Sequence, residues 1–193
     1  MRRIRYCVAA SLDGYIAGPN GEADWIVMDP EIDFNSMFGQ FDTLLIGRKT
    51  FEAMGKYGGG GSMPGVKSII LSRTMKPADY PKLTIFGADS DKQLAALKEE
   101  PGKDIWLFGG GDLFRSLLDV GLVDTVEVGL IPVLLGGGIP LLPARTNRSK
   151  LKLTGNKVYA KTGTVSLEYA VEKSAGKARS KGSTRPRAKK AQH

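Results

Sequence analysis

The sequence predicts one α/β domain that finishes in strands, and three observations point to it. Apolar runs of strand length alternate with stretches of helical spacing from residue 3 to residue 119. Two of the strand-to-helix junctions carry glycine, at Gly47 and at Gly109-Gly110-Gly111. Beyond Val123 the helical spacing stops, and the chain closes on two strand-like runs around Lys161-Thr162-Gly163. At 193 residues the chain is long enough to bury a single good core.

Each element follows from local chemistry. Arg3 to Ala10 reads as the first strand, with Ile4, Tyr6 and Val8 on one face and Cys7 and Ala9 on the other. Asp13-Gly14 and Pro19-Asn20-Gly21 are turn signals. Small Ala9 and Ala10 leave room for a flat ring, or fill the core; Trp25 and Ile26 shield a pocket, or fill the core. Asp29-Pro30-Glu31 opens a predicted helix, with Asp29 as N-cap, Pro30 at the first position and Phe34, Met37, Phe38 and Phe41 as the apolar face. On this reading Glu31 and Asp33 are helix-start carboxylates. Thr43 to Ile46 is a strand, and Gly47 leads into a helix whose first turn holds Arg48, Lys49 and Thr50. Cations there oppose the helix dipole, a conflict that a bound anion relieves. Gly58 to Gly61 reads as a mobile loop. Strands follow at Lys67–Leu71, ending on Ser72-Arg73, and at Lys82–Phe86, with a helix over Asp89–Lys98.

The most informative stretch is Asp104 to Asp119. A short apolar strand ends at Phe108, three glycines follow, and Leu113, Phe114, Leu117 and Leu118 then recur at helical spacing. Backbone N–H groups and a positive helix end meet at such a turn, where a phosphate can sit. Gly109 and Gly111 match the first two glycines of G-x-G-x-x-G, but Phe114 stands at the third. Strand-like runs then cover Val123–Ile131, Ile139–Leu142, Lys150–Tyr159 and Thr164–Val171.

Composition bounds the chemistry. Of 28 basic residues, seven lie in residues 174–193, which hold no acid; the remaining body is nearly neutral, with 20 acids. The domain is therefore residues 1–173, followed by a basic tail expected to be disordered. The tail offers weak contact with nucleic acid and no interleaved aromatic for stacking. One cysteine, Cys7, rules out an internal disulfide or a cysteine metal site. The single histidine is His193, so a Ser-His-Asp triad, a Cys-His pair and a histidine zinc site lack their central residue, and no metal is expected. The N-terminus lacks the apolar length of a signal peptide, and no apolar run is long enough to span a membrane, so the cytoplasm is the expected compartment.

Five segments taken in order carry a resemblance. They are Ala10-Ser11-Leu12-Asp13-Gly14-Tyr15-Ile16-Ala17, Leu45-Ile46-Gly47-Arg48-Lys49-Thr50-Phe51-Glu52, Leu71-Ser72-Arg73, Trp106-Leu107-Phe108-Gly109-Gly110-Gly111 and Pro132-Val133-Leu134-Leu135-Gly136-Gly137-Gly138. Over residues 3–171 the chain resembles the dihydrofolate reductase-like superfamily. Within it, the match is nearer the reductase domain of the bifunctional riboflavin-biosynthesis deaminase–reductase. The resemblance implies a central, mostly parallel mixed sheet flanked by helices, with a C-terminal antiparallel hairpin. It implies NADPH across the carboxyl ends of the strands. Gly47, Arg48, Lys49 and Thr50 would meet cofactor phosphates, Ser72 and Arg73 the 2′-phosphate, and Gly109, Gly110, Gly111, Asp112 and Leu113 the pyrophosphate. Ala9, Ile16 and Phe108 would border the nicotinamide.

The implied reaction is hydride transfer to a C=O or C=N group of a small heterocyclic or ribosylaminopyrimidine-like substrate. For the proton, the family's helix acid corresponds by position to Glu31 first and Asp33 second, with Asp13 a third acid that suits a turn. The resembling reductase domains commonly pair, so a homodimer is expected. Two alternatives stand beside the reductase: an NADP(H)-binding protein with little turnover, and an interaction protein that uses its basic tail.

Overall fold

A computed structural model describes residues 1–56, 63–144 and 147–173. The Gly58–Gly61 loop and the basic tail lie outside the described residues. Among the described residues ten strands and four α-helices follow in order: β1 (Ile4–Ser11), β2 (Tyr15–Ala17), α1 (Phe34–Phe38), β3 (Phe41–Gly47), α2 (Arg48–Lys56), β4 (Lys67–Leu71) and β5 (Thr84–Phe86). Then come α3 (Ser90–Glu99), β6 (Asp104–Gly109), α4 (Gly111–Asp119), β7 (Thr125–Ile131), β8 (Ile139–Pro140), β9 (Leu151–Tyr159) and β10 (Thr164–Val171).

Eight strands form one sheet in the order β5-β4-β3-β6-β1-β7-β10-β9. The pairs from β5 to β7 are parallel, and β10 runs antiparallel to both β7 and β9. The mixed, mostly parallel sheet that the resemblance implies and the terminal hairpin are both present. A second sheet of two short antiparallel strands, β2 and β8, joins the loop after β1 to the glycine-rich loop. Three-residue β2 has too short a period to stand out in sequence.

Around its central parallel strands the sheet is covered on both faces, as apolar strands require. On one side Ile4, Tyr6, Leu45, Ile69, Ile105 and Leu107 pack with Leu94 and Leu97 of α3 and Phe114, Leu117 and Leu118 of α4. Tyr6 stacks on Phe114 with ring centroids 3.9 Å apart. On the other side Phe41, Leu44, Ile46 and Trp106 pack with Phe38 of α1 and Phe51 and Met54 of α2.

Buried charges along the N-terminal ends of the strands are paired. Arg2 bonds the Asp42 carboxylate, and the Lys98 ammonium bonds that of Asp124. Arg5 in β1 forks onto Glu127 in β7 at 2.7 and 2.6 Å, while its third nitrogen donates to Gln40 at 2.7 Å. The Arg5 guanidinium also lies 4.8 Å from the centre of the Phe41 ring.

The first helix starts later than the sequence predicts. Asp33, not Asp29, is the N-cap: its side chain accepts the Ser36 N–H at 2.9 Å. Asp29 accepts the Glu31 N–H at 2.9 Å and the Thr162 hydroxyl at 2.8 Å. A partner at the far end of the chain thus claims the carboxylate that local rules assign to the cap.

Candidate active site

Parallel strands bring their helix starts to one edge, and here they bring two together. β3 and β6 are neighbours, with Ile46 paired to Gly109. A Cβ added to Gly47 would lie 3.4 Å from the Gly109 carbonyl oxygen, so the two glycine junctions touch. α2 and α4 begin on either side of that contact. Gly110 caps α4 without a side chain, and the Leu113 N–H turns back to the Gly110 carbonyl at 3.0 Å, so the Gly111 and Asp112 N–H groups at the helix start have no intrahelical partner.

The three glycines serve different needs. Gly109 has φ +135°, a conformation that favours glycine, and is buried in the strand end behind the cleft wall. At Gly110 an added Cβ would meet only the Thr50 hydroxyl, at 3.3 Å. At Gly111 it would lie 2.6 Å from the Pro140 carbonyl oxygen and 2.9 Å from Pro143. Gly111 is therefore glycine because the end of β8 and the chain after it pass over the helix start, a reason that local sequence does not reveal.

An open cleft of about 1540 Å³ runs along this edge. Its wall at the helix starts is Gly47, Arg48, Lys49, Thr50, Gly110, Gly111, Asp112 and Leu113. Ser72 and Arg73 line it where β4 ends, and Ala9, Ile16 and Phe108 line its middle. Glu31 and Asp33 lie on the wall formed by the segment before α1. Apart from Gly109, the site residues read from the sequence converge on this one space.

Two of the cations there have partners. Arg48 reaches along α2 to Glu52 at 2.8 Å, and Lys49 lies 3.9 Å from Asp112 across the two helix starts. Asp112 also meets Arg115 at 3.3 Å. These pairs are exposed, so each contributes little to stability and can exchange for a bound anion. The Ser72 hydroxyl accepts the N–H groups of Thr74 at 3.2 Å and Met75 at 3.0 Å, shaping the turn that presents Arg73.

The three candidate acids differ in surroundings. Asp13 accepts from the Ser11 hydroxyl at 2.6 Å and from the Leu135 and Gly136 N–H groups at 3.1 and 2.7 Å. Those bonds, the Ser11 hydroxyl first, hold its carboxyl below the usual range, and they make it a tie between loops. Asp33 caps α1. Glu31 is exposed, with Lys161 at 3.5 Å.

Sequence reasoning did not find the floor beyond the middle of the cleft. Cross-strand register places Cys7, Glu127 and Glu168 in one rank, and Ala9, Gly129, Ser166 and Lys157 in the next. The register of the terminal hairpin against β7 was the missing signal. Among these groups, burial alone would raise the Glu127 pKa, but bonds from Arg5 and Thr125 outweigh it and the net shift is downward. Burial first, then the Glu127 charge, pushes the Cys7 thiol well up. Among the described residues no cluster of histidine, cysteine and carboxylate side chains is arranged to hold a metal ion.

The decisive comparison is with a family model. The RibD C-terminal domain model matches residues 2–165. The chain belongs to the RibD C-terminal domain family. It is 37% identical over 180 residues to the uncharacterised protein YyaP of Bacillus subtilis, covering 87% of this chain and 94% of that one. It superposes with TM-score 0.67 and 16% identity on a diaminohydroxyphosphoribosylaminopyrimidine deaminase/5-amino-6-(5-phosphoribosylamino)uracil reductase from Thermotoga maritima, covering 88% of this chain and 56% of that one. A dihydrofolate reductase from Enterococcus faecalis, complexed with NADP(H), superposes with TM-score 0.64 and 17% identity, covering 89% of this chain and 97% of that one. The RibD C-terminal domain is a reductase-like fold shared with dihydrofolate reductases, and the sequence resemblance to that superfamily is thereby confirmed.

Proposed function

We propose that this RibD C-terminal domain protein is an NADPH-dependent reductase acting on a C=O or C=N group of a small heterocyclic or ribosylaminopyrimidine-like substrate. The observation that carries the reading is the contact between the two glycine junctions. It sets two helix N-termini and the cations Arg48, Lys49 and Arg73 along one cleft. That donor set suits a ligand carrying a pyrophosphate and a third phosphate group.

NADPH, when bound, supplies a hydride. The chain supplies the rest. Gly110, Gly111, Asp112 and Leu113 offer the α4 start to the pyrophosphate, and Thr50 a hydroxyl beside it. Ser72 and Arg73 take the 2′-phosphate. Ala9, Ile16 and Phe108 border a flat ring and exclude water from it. Glu31 delivers the proton to the substrate oxygen or nitrogen, with Asp33 as second candidate. The engagement of both acids, with Lys161 and with the helix cap, favours the alternative of an NADP(H)-binding protein with little turnover.

Titrating the protein with NADPH and NADH, followed by fluorescence, tests the cofactor. Selective NADPH binding is expected, and binding of neither would remove the proposal. NADPH oxidation in the presence of 5-amino-6-(5-phosphoribosylamino)uracil or dihydrofolate then separates reductase from binding protein.

We further propose residues 1–173 as the reductase domain, residues 174–193 as an appended tail, a cytoplasmic location and a homodimer. Support for pairing comes from β9, an edge strand of the sheet that exposes Leu151, Leu153 and Val158. Among the described residues no helix is long and apolar enough to cross a membrane.

A further inference from the structure

We propose that Asp29 is a positioning residue for the substrate wall, acting through Thr162 to hold residues 18–33 against the terminal hairpin. The inference rests on the reductase reading only in taking this end of the cleft as the substrate's.

Residues 18–33 contain no helix or strand. Yet Gly21, Ala23, Ile26, Val27, Met28 and Ile32 wall the cleft. The segment's own backbone bonds are local, such as Gly18 N–H to Glu22 at 2.8 Å, Ile26 N–H to Ala23 at 3.2 Å and Ile32 N–H to Asp29 at 3.1 Å. Trp25 likewise donates its indole N–H to Glu22 at 3.2 Å. Local bonds shape a loop without placing it on the protein.

Two side-chain contacts tie the segment to the β9–β10 turn. The exposed one, Glu31 with Lys161 at 3.5 Å, is screened by water and salt. The other is buried. Asp29 is 1% exposed, with one carboxylate oxygen on the Glu31 N–H and the other on the Thr162 hydroxyl. Thr162 has a single hydroxyl proton, which the carboxylate takes. The Thr164 hydroxyl, 2.9 Å away, therefore donates to Thr162. Thr164 is buried at the start of β10 and itself lines the cleft. The chain Asp29–Thr162–Thr164 thus joins the loop wall to the floor strand. A carboxylate covered from solvent is costly unless its oxygens are bonded, so these partners hold Asp29, and the segment with it, in place.

The test is hydrogen exchange on Thr162→Val, Thr162→Ser and Asp29→Asn, with NADPH affinity measured alongside. In Thr162→Val and Asp29→Asn, amides of residues 20–32 should exchange at least about tenfold faster, while β1 and β6 amides keep their protection. Thr162→Ser should restore the slow exchange. NADPH affinity should stay within about twofold, a change far below the tenfold that 1.4 kcal/mol represents. With a turned-over substrate, KM should rise by more than kcat falls. Unchanged exchange in residues 20–32, or faster exchange throughout β1 and β6, would overturn the assignment. Absence of turnover with the two substrates named above bears on the reductase reading and leaves the exchange result to decide this one.

Discussion

Single residues set the chemistry of the cleft, and their substitutions separate its parts. Gly110→Leu places a side chain where only the Thr50 hydroxyl stands in the way, so the fold should survive and NADPH affinity should fall by about tenfold or more. Unchanged affinity in the folded variant would sink the pyrophosphate site. Arg73→Ala should narrow the NADPH-over-NADH preference, read from the two dissociation constants. In the Arg5–Glu127 pair the sign of the pH effect follows from the depressed Glu127 pKa. Its stabilising contribution is complete above the ordinary carboxylate range and is lost as pH falls through the lower, folded value. Glu127→Gln should flatten the acid limb of a stability-against-pH curve; an unchanged limb would assign acid unfolding elsewhere. Cys7, with its thiol pushed up, should resist alkylation at pH 8 until the protein unfolds.

At the scale of elements, α4 bears both site and core. Its N-terminal turn faces the cleft while Phe114, 3% exposed, stacks on Tyr6 of β1. Phe114→Ala should lower unfolding free energy by about 3–5 kcal/mol in denaturant titration. A loss under about 1 kcal/mol would mean that the core closes over the cavity. This element was legible because its apolar spacing and glycine start are both local. α2 and the β9–β10 hairpin were legible on other local signals, the Gly47 junction and the Lys161-Thr162-Gly163 turn. The start of α1 was not legible. Asp29-Pro30-Glu31 satisfies every local rule for a helix start, but Thr162 supplies a tertiary partner that no window around residue 29 contains. By sequence Gly111 matches a glycine of a phosphate-binding turn, whereas Pro140 and Pro143 press on it from a distant loop. Cross-strand ranks such as Cys7, Glu127 and Glu168 require the strand order, which periodicity does not encode.

At the scale of the whole molecule, the near-neutral body and the basic tail predict separable properties. Removing residues 174–193 should leave NADPH affinity unchanged and abolish any salt-sensitive binding to nucleic acid. Nucleic-acid binding that survives the deletion would move that activity to the body. A mass measurement over a range of concentrations checks the homodimer, and a concentration-independent monomer would overturn it. The sheet order also governs how the chain must assemble. β1 lies between β6 and β7, and Tyr6 pairs with Leu107 on one side and Val126 on the other. The central strand of the sheet therefore waits for neighbours made long after it on the ribosome. Such distant pairing slows folding and leaves an apolar strand uncovered in the growing chain. For this protein the vulnerable interval is synthesis itself, when chaperones have an unpaired β1 to shield.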